Sequence, residues 1–468
     1  MRTGIALATL LVVGGACATA PRTVALPPLG ADGEVYVYLL PLPREAERLA
    51  FTIDRVALRR ADGGEVPLEV VARAVSGADA AGQRPFAWGR VPPGTYAGLS
   101  VKAGSATLVR DGERARLVVP DEPAHVDVQI KVSRGAAEVL WANLKPAESV
   151  RQDYEFAPAF SLTIAPQTPA QANFYCTNAG AATVTVLDRH ARLVTGNIAV
   201  GSVPRGMAID RTGARAYVAL GAEDQIQIVD PAANATIDRI QLSPGDGPRE
   251  IALTPDGLML VSLNERSHTV SFLDVVRRTE FGRVSVGDGP VALLLDRSGR
   301  RAYVVNRASS SISVIDVGAR TVIATLATDA EPLRAQLSRD GTRLFVVHRG
   351  SQYLAVFSVP SFALLTRAFV PLGVTTLKID PRTDLLYLSR GDERRISVYD
   401  PIALQPIDAF DVPAAATYMT IDDAENTLLA ILPERRTLAV FDLTSHRLLA
   451  EMPVGLDPYF ITLIGERF

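Results

Sequence analysis

The sequence predicts an all-β protein in which a seven-bladed β-propeller, closed by both termini, follows a small β-sandwich domain. Three observations support this prediction. A unit of about 42 residues recurs between residues 172 and 468, and the first and last units are complementary fragments. Residues 34–165 contain short strand patterns that lack this period.

The repeat is clearest in a column of residues at the end of an alternating strand. The successive gaps are 42, 44, 42, 42, 42 and 42 residues. A constant period of this length is typical of a propeller or a solenoid. The seven members of the column are Asp188, Asp230, Asp274, Asp316, Ser358, Asp400 and Asp442.

The phase of the chain end distinguishes a ring from an open solenoid. Pro458 and Pro204 are equivalent positions in two units of the repeat. Phe468 lies ten residues after Pro458, so it is equivalent to Ala214, which lies ten residues after Pro204. One period of 42 before residue 214 is residue 172, where the array begins. Because only a ring needs this relation, we expect one blade to contain strands from both ends of the repeat array.

The first 17 residues have the pattern of a signal peptide, with Arg2, an apolar stretch from Ile5 to Val13 and small residues before Cys17. The segment resembles a bacterial lipoprotein signal, which implies lipidation at Cys17. Gly14 stands where that family usually has Leu, so ordinary cleavage after Ala18 is the alternative. We expect residues 18–33 to form a tether.

Residues 34–165 are predicted to form the β-sandwich, and residues 166–171 a stiff Pro-containing linker. Several strands alternate at period two, with Asp-Gly turns between them. The segment Pro92-Pro93-Gly94-Thr95-Tyr96 resembles the turn of prealbumin-like modules. In physical terms, a Pro-Gly turn there would deliver an aromatic side chain into the next strand.

Within the ring, each unit offers four short strands, and a Gly column marks the hairpin between the first two. Gly213, Gly257, Gly299 and Gly341 fit a left-handed backbone there. The last two units carry Thr383 and Glu425 in this column. Asp384 and Asn426 follow directly, so we expect the turn to be shifted by one residue there.

One unit also carries a family resemblance. Residues 290–316, with Tyr303-Val304-Val305-Asn306 and Ser313-Val314-Ile315-Asp316, resemble the YVTN-type repeat of bacterial propellers. The resemblance implies the propeller fold over residues 172–468 and leaves function open, since that family includes surface proteins, periplasmic binding proteins and relatives of lactonases. In four other units the Asn that ends this tetrad is replaced, by Leu220, His348, Arg390 and Leu432.

Composition narrows the classes of function. A net charge of −3 and a pI near 6.0 disfavour nucleic acid as a partner. Cys176 is the single cysteine beyond Cys17, so no internal disulfide is expected, and we interpret it as a buried, inert thiol. The four ring histidines occupy different phases and are interpreted as surface residues. No cofactor or metal is predicted, and no haem-attachment motif is present.

The first strand of each unit is predicted to lie nearest the axis. Two of its columns are apolar throughout and are expected to pack between blades, whereas the two interleaved columns are expected to face the channel. The channel columns are Gly206, Glu250, Ala292, Arg334, Thr376, Tyr418 and Phe460, and Ala208, Ala252, Leu294, Gln336, Lys378, Thr420 and Thr462. Glu250 is their one carboxylate, too few for a calcium site.

Arginines from several units are expected to meet at one rim. Guanidinium groups bind carboxylate and phosphate well, which suggests an anion-binding funnel. Glu250, Glu265 and Glu331 lie in the same loops, so a salt-bridged, solvated rim is the competing interpretation, which we favour. The predicted ligand-binding residues are Arg205, Arg249, Arg266, Arg307, Arg349 and Arg390, with Arg334 beside them.

The sequence favours an exported, lipid-anchored, non-enzymatic binding or scaffold protein of the bacterial cell envelope, periplasmic or at the outer surface. Its rim would engage an envelope protein, a glycan or a small anion, with the membrane contacted through Cys17 and the chain monomeric. A secreted soluble form is the alternative location. The alternative function is a lactonase-like or oxidoreductase-accessory enzyme, with Glu250 as base, Arg334 or Lys378 as the charged partner and Tyr418 positioning the substrate. The competing interpretation of these residues, which we favour, is a buried ion pair between Glu250 and a basic neighbour that plugs the channel.

Overall fold

The computed structural model describes residues 32–77, 82–110, 113–152 and 154–465, so the predicted signal segment and Cys17 lie outside the described residues. The described chain is almost entirely β-structure. One short α-helix, α1, spans Pro146–Ser149, and two 3-10 helices span Arg44–Ala46 and Ala170–Ala172. No described helix is long and apolar enough to cross a membrane.

A β-domain precedes the propeller. It contains the strands β1 Gly33–Leu39, β2 Leu49–Arg60, β3 Glu65–Val70, β4 Ala74–Ser76, β5 Arg84–Val91, β6 Gly94–Arg110, β7 Glu113–Leu117, β8 Ala124–Val132, β9 Ala137–Leu144, β10 Val150–Arg151, β11 Glu155–Phe156 and β12 Phe160–Ile164.

Ten of these strands form one curled sheet, because β3 pairs with β2 on one side and with β5 on the other. The two halves fold over a single apolar core to which β1, β2, β5, β6 and β9 all contribute. The sequence predicted a small β-sandwich; the structure has a β-domain at this place, but its sheet is continuous through β3. Tyr96 is buried in β6 and donates a hydrogen bond to the Pro92 carbonyl at 2.7 Å, so the Pro-Gly turn does deliver an aromatic residue.

The propeller has seven four-stranded antiparallel sheets, which confirms the predicted fold. Six blades are built from consecutive strands. They are β16 Pro204–Ile209, β17 Ala216–Leu220, β18 Gln225–Asp230 and β19 Ala235–Gln241; β20 Pro248–Leu253, β21 Met259–Asn264, β22 Thr269–Asp274 and β23 Thr279–Ser285; β24 Pro290–Leu295, β25 Arg301–Asn306, β26 Ser311–Asp316 and β27 Thr321–Ala327; β28 Pro332–Leu337, β29 Arg343–His348, β30 Tyr353–Ser358 and β31 Leu364–Phe369; β32 Val374–Ile379, β33 Leu386–Arg390, β34 Arg395–Tyr399 and β35 Pro406–Asp411; and β36 Tyr418–Asp422, β37 Thr427–Leu432, β38 Thr437–Asp442 and β39 Leu448–Pro453.

The closing blade combines both ends of the array, as the phase relation predicts. Its strands are β13 Asn173–Asn178, β14 Thr183–Asp188, β15 Val194–Ala199 and β40 Pro458–Leu463. β40 pairs antiparallel with β13, which places Ile461 opposite Cys176 and Leu463 opposite Phe174. β40 takes the innermost position that β16, β20, β24, β28, β32 and β36 occupy in the other blades.

The Asp column of the repeat forms turns. In Asp188, Asp230, Asp274, Asp400 and Asp442, the carboxylate accepts hydrogen bonds from the backbone amides two and three residues ahead, for example at 2.8 and 2.6 Å in Asp188. These bonds start the hairpin between the third and fourth strands. Backbone donors lower the pKa of Asp400 for this reason.

The Gly column has the predicted left-handed backbone, with φ of 69 to 75° at its four positions. In the fifth and sixth blades, Asp384 and Asn426 have φ of 62° and 54°, which confirms the one-residue shift.

The β-domain docks on the outer edge of the closing blade. Trp141 Nε1 donates to the Val194 carbonyl at 2.8 Å, and the Val194 amide donates to Gln83 Oε1 at 2.6 Å. Tyr38 and Val139 enter the apolar cluster that also contains Phe174 and Ile461. One continuous core therefore joins the β-domain to the point of ring closure.

Truncating a buried side chain of the closing strand tests the importance of this closure. Ile461→Ala removes a fully buried side chain from β40, and we expect it to lower the free energy of unfolding by about 2–5 kcal/mol. Ile237→Ala is the control, because Ile237 is 52% exposed on an outer strand, and a change within about 0.5 kcal/mol is expected. Urea unfolding followed by circular dichroism provides the measurement. Equal losses in the two variants would contradict a special contribution from β40.

Candidate functional site

The channel through the ring contains two cavities. The seven inner strands run in the same direction, so their first residues lie at one end of the channel and their last residues at the other. The cavity at the strand starts, which we call the mouth cavity, has a volume of ≈ 870 Å³ and is lined by Arg249, Val291, Leu333, Arg334, Arg349, Leu372, Gly373, Thr375, Arg390, Gly391, Asp392, Thr417, Pro433, Asp457, Pro458 and Tyr459.

The second cavity, which we call the lower cavity, has a volume of ≈ 560 Å³ and extends to the strand ends. Its polar lining includes Glu250, Arg334, Gln336, Thr376, Lys378 and Thr462, and its opening lies beside Arg211, Asp296 and Arg297. Both volumes lie in the range of about 300–1,000 Å³ that is common for small-molecule sites.

A buried ion pair lies between the two cavities. Arg334, which lines both, donates to Glu250 Oε1, while Glu250 Oε2 accepts a hydrogen bond from the Leu293 amide at 2.8 Å. The Arg334 guanidinium lies 5.0 Å from the ring centroid of Tyr418, and the Tyr418 ring lies 4.6 Å from that of Phe460. We call these four side chains, Glu250, Arg334, Tyr418 and Phe460, the channel plug.

Electrostatics hold the Arg334 guanidinium in its charged form. Burial alone would lower the pKa of Arg334, but the adjacent Glu250, together with Tyr459 and Tyr418, raises it above the ordinary value. The Glu250 side chain is 5% exposed and that of Arg334 16%. Breaking such a pair leaves one charge buried without compensation, which costs far more than the intact pair contributes.

The residues of the predicted channel columns line the lower cavity, with two exceptions. Gly206 and Thr420 do not line the lower cavity, and every other member does. The apolar columns were expected to pack between blades. They do so, but Met207, Ile209, Ile251 and Leu253 also form part of the cavity wall. Residues from both faces of the inner strands therefore contribute to the wall of the channel.

The predicted arginines divide into two groups. Arg249, Arg349 and Arg390 line the mouth cavity together with Arg334, whereas Arg205, Arg266 and Arg307 do not. Most of them have carboxylate partners. Arg249 pairs with Glu265 at 2.5 Å, Arg205 lies 4.0 Å from Glu265, Arg266 pairs with Asp224, and Arg390 pairs with Asp392 and Glu393 at 2.8 and 2.6 Å.

Two of the arginines differ from this pattern. Within the described part of the chain, Arg307 and Arg349 form no salt bridge, and Arg349 is exposed at the mouth cavity. The rim is therefore largely ion-paired, as the competing interpretation proposed, with Arg349 as a mouth cation that has no carboxylate partner among the described residues. Glu331 takes part in no described salt bridge either.

Sequence reasoning missed Tyr459. Its ring lies under two guanidinium groups, with centroid distances of 5.2 Å to Arg205 and 5.7 Å to Arg249. Its hydroxyl and Arg249 Nε are both buried, and neither has a hydrogen-bond partner in the described structure. Tyr459 precedes Phe460 in β40, in the same column as Arg205 and Arg249, so that column contained a usable signal.

The Asn column of the repeat has a structural role. Asn178, Asn264 and Asn306 are buried, and each Nδ2 donates to the hydroxyl groups five and seven residues ahead, at 2.8 to 3.2 Å. His348 takes the equivalent place in β29, where its Nδ1 lies 3.0 Å from the Tyr353 carbonyl oxygen. His348 is 1% exposed, so the surface interpretation was wrong for this histidine.

The described residues offer little for metal or thiol chemistry. No group of three or more His, Cys, Asp or Glu side chains among them could hold a metal ion. Cys176 is fully buried in β13, and burial raises the pKa of its thiol. This agrees with an inert packing role.

Comparisons with known proteins agree on the fold. Residues 183–382 match the family profile of YNCE-like beta-propellers. No curated protein matches the chain in sequence. The chain is therefore similar to a propeller family over less than half of its length.

Three solved structures share the fold at low sequence identity. Hydrazine synthase from Kuenenia stuttgartiensis is 16% identical, with a TM-score of 0.54 over 60% of this chain and 95% of that one. The dihydro-heme d1 dehydrogenase NirN is 14% identical, with a TM-score of 0.51 over 64% of this chain and 77% of that one. A functionally unknown protein from Desulfotomaculum acetoxidans is 12% identical, with a TM-score of 0.55 over 63% of this chain and 99% of that one. Two of the three are enzymes, so the fold alone does not select a function.

Substitutions in the plug test its energetics. Arg334→Met strands the Glu250 carboxylate in the channel, and we expect it to lower the free energy of unfolding by about 3–5 kcal/mol. The double variant Glu250→Leu/Arg334→Met removes both charges and should recover most of this loss. Chemical denaturation of each variant gives the comparison.

The exposed pair of Arg395 and Asp411, 3.4 Å apart, supplies a matched control. Arg395→Met should change stability by no more than about 1 kcal/mol. If the double variant is as unstable as Arg334→Met, the ion pair does not act as a coupled unit.

Proposed function

We propose that this protein is an exported, non-enzymatic binding protein that takes an anionic ligand at the mouth of its propeller channel. The observation that carries this proposal is the set of arginines around one cavity. Arg249, Arg334, Arg349 and Arg390 line the mouth cavity, from the second, fourth and fifth blades. The acidic residues in its lining are Asp392 and Asp457, so positive charge is in excess.

Salt bridges fix the positions of these arginines without neutralising all of the positive charge at the mouth cavity. Arg249 is fixed by Glu265 and by the Tyr459 ring, and Arg390 also donates to the Leu372 carbonyl at 3.0 Å. A guanidinium that is already held in place loses less side-chain entropy when it binds an anion. Arg349, with no such restraint from a carboxylate, would supply the attractive charge at the entrance.

Two buried donor groups also favour a ligand with acceptor atoms. Arg249 Nε and the Tyr459 hydroxyl have no partner in the described structure, although both lie beside the mouth cavity. An unsatisfied buried polar group costs about 1–3 kcal/mol. A carboxylate or phosphate oxygen could accept hydrogen bonds from either group and remove that cost.

We do not propose the enzymatic alternative. Glu250, its predicted general base, already accepts hydrogen bonds at both carboxylate oxygens, and Arg334 is committed to the same pair. Tyr418 packs within the plug, against both the Phe460 ring and the Arg334 guanidinium. These contacts account for three of the four predicted catalytic residues as packing elements.

Anion binding can be measured by isothermal titration calorimetry with citrate and inorganic phosphate. We expect Arg349→Ala to weaken citrate binding about tenfold or more, because it removes a charge-assisted contact worth about 1.5–3 kcal/mol. Raising the salt concentration should weaken the wild type in parallel.

Arg277→Ala is the control for the loss of a surface charge. Its side chain is 79% exposed on a hairpin turn and pairs with Asp274. It should bind citrate like the wild type. The proposal fails if neither anion binds, or if Arg349→Ala and Arg277→Ala bind equally well.

We further propose that the protein is anchored in the bacterial envelope by a lipid on Cys17. The support is the apolar stretch and the small residues before that cysteine. Multiple acyl chains would give stable attachment, because each buried CH₂ contributes about 0.8 kcal/mol. The predicted tether would then hold the protein near the membrane surface.

Substitution of the two cysteines tests the anchor. With a clickable palmitate analogue fed to expressing cells, we expect Cys17→Ser to abolish labelling and to shift the protein from the membrane to the soluble fraction. Cys176→Ala is the matched control, since Cys176 is the other cysteine of the chain and is buried. Unchanged labelling in Cys17→Ser would exclude the lipid anchor.

A further inference from the structure

The fourth blade differs from the other blades in one cross-strand pair on the mouth side of the ring. Because neighbouring strands of a blade are antiparallel, its third strand begins and its fourth strand ends on that side. In the fourth blade these positions hold Tyr353 and Phe369, which face each other in the register of β30 and β31. The equivalent pairs in the other blades are Thr183 with Ala199, Gln225 with Gln241, Thr269 with Ser285, Ser311 with Ala327, Arg395 with Asp411 and Thr437 with Pro453. An aromatic pair is therefore not needed to build a blade.

The aromatic pair is largely exposed to solvent. Tyr353 is 45% exposed and Phe369 is 62% exposed, and their rings meet edge to face with centroids 6.5 Å apart. Leu372, which follows the end of β31, is 48% exposed. We call Tyr353, Phe369 and Leu372 the rim patch. Contiguous exposed apolar side chains, unlike isolated ones, are typical of interaction surfaces.

The rim patch is continuous with the mouth cavity. Leu372 is part of the cavity lining, and its carbonyl accepts a hydrogen bond from Arg390 Nε at 3.0 Å. Arg349 also lines the cavity and begins the short turn that leads to Tyr353. His348 Nδ1 lies 3.0 Å from the Tyr353 carbonyl oxygen and closes this turn. The apolar surface therefore lies beside two of the guanidinium groups to which the anion site is assigned.

The spacing of the strands sets the size of a ligand that contacts both regions. Arg349 directly follows β29, and Phe369 ends β31, with β30 between these strands. Neighbouring strands lie about 4.8 Å apart, so the two positions are about 10 Å apart. An extended peptide covers about 3.3 Å per residue, so about three residues span this distance. Citrate and inorganic phosphate are shorter than this.

We propose that the rim patch and the mouth cavity together bind an extended peptide segment of a partner protein, in which an acidic residue stands about three residues from an aromatic or aliphatic one. This inference rests on the proposed anion site, since Arg349 and Arg390 would take the carboxylate. The apolar side chain would pack on Tyr353 and Phe369, because aromatic side chains and arginine are the residues that most often dominate protein interfaces. A flat membrane surface would reach the rim patch, but not the Arg390 side chain, which is 22% exposed.

Fluorescence anisotropy of a labelled peptide tests this interface in the full chain. The probe is a fluorescein-labelled Gly-Ser peptide that carries a pair of Glu residues and, about three residues further on, Phe and Leu. We expect the double variant Tyr353→Thr/Phe369→Ser to weaken its binding about tenfold, because the packing surface is lost. The second blade has this Thr and Ser pair at Thr269 and Ser285, so the variant should fold. Ile407→Ser is the matched control, since Ile407 is 57% exposed on an outer strand, and affinity should stay within about twofold.

Two altered peptides probe the wild type directly and do not depend on how a variant folds. Replacing Phe and Leu by Ser should weaken binding about tenfold, and replacing both Glu by Gln should do the same. The inference is overturned if either altered peptide binds as tightly as the probe, or if the double variant and Ile407→Ser bind the probe equally well. It is also overturned if the double variant loses co-sedimentation with phosphatidylglycerol vesicles while it keeps its affinity for the peptide, since the patch is then a membrane contact.

Citrate calorimetry separates this inference from the proposed function. The double variant should bind citrate like the wild type, because Arg349 and Arg390 remain. Absence of citrate binding in the wild type contradicts the small-anion site itself. Normal citrate binding, together with a probe affinity that the rim patch does not influence, contradicts the peptide interface alone.

Discussion

The pairing of β40 with β13 is the constraint on which the rest of the structure depends. Every other inner strand is followed along the chain by its own partner, whereas residues 458–463 must find residues 173–178 from the far end of the array. The joint is reinforced beyond the strands, since Gly455 donates its amide to Asn178 Oδ1 at 2.9 Å and Ala179 donates to the Asp457 carbonyl at 2.8 Å. The same strand contributes to every part of the channel, with Tyr459 at the mouth, Phe460 in the plug and Thr462 in the lower cavity.

The propeller could be predicted from the sequence because its determinants are local and repeated. The carboxylate of Asp400 starts a turn within three residues of itself, and Asp384 takes the left-handed backbone in its own hairpin. Copies of such signals recur from blade to blade and reinforce one another, so the blade count and the closure followed from spacing alone. The β-domain has no repeat. Its sheet is continuous because β3 pairs with both β2 and β5, and no local sequence motif marks such a double pairing.

The sites were less predictable because they depend on which side chains meet across blades. The sequence predicted that Glu250 forms a buried ion pair with a basic neighbour, but the choice of Arg334 as that neighbour depends on the ring geometry that brings the second and fourth blades together. Tyr459 was missed because its neighbours Arg205 and Arg249 come from blades that are distant in the chain. His348 was taken for a surface residue because its position was judged by residue type, although it occupies the buried column of Asn178 and Asn306.

The docking of the β-domain has a consequence for how molecules of this protein meet one another. An outermost propeller strand carries unpaired backbone groups that can recruit a strand from a neighbouring molecule. On β15, the Gln83 amide group satisfies both the N–H and the carbonyl of Val194, and the Trp141 indole adds a second donor to that carbonyl. A side chain here imitates the hydrogen bonding of a fifth strand, so the outer edge of the closing blade is protected at this point against pairing with a strand from another molecule.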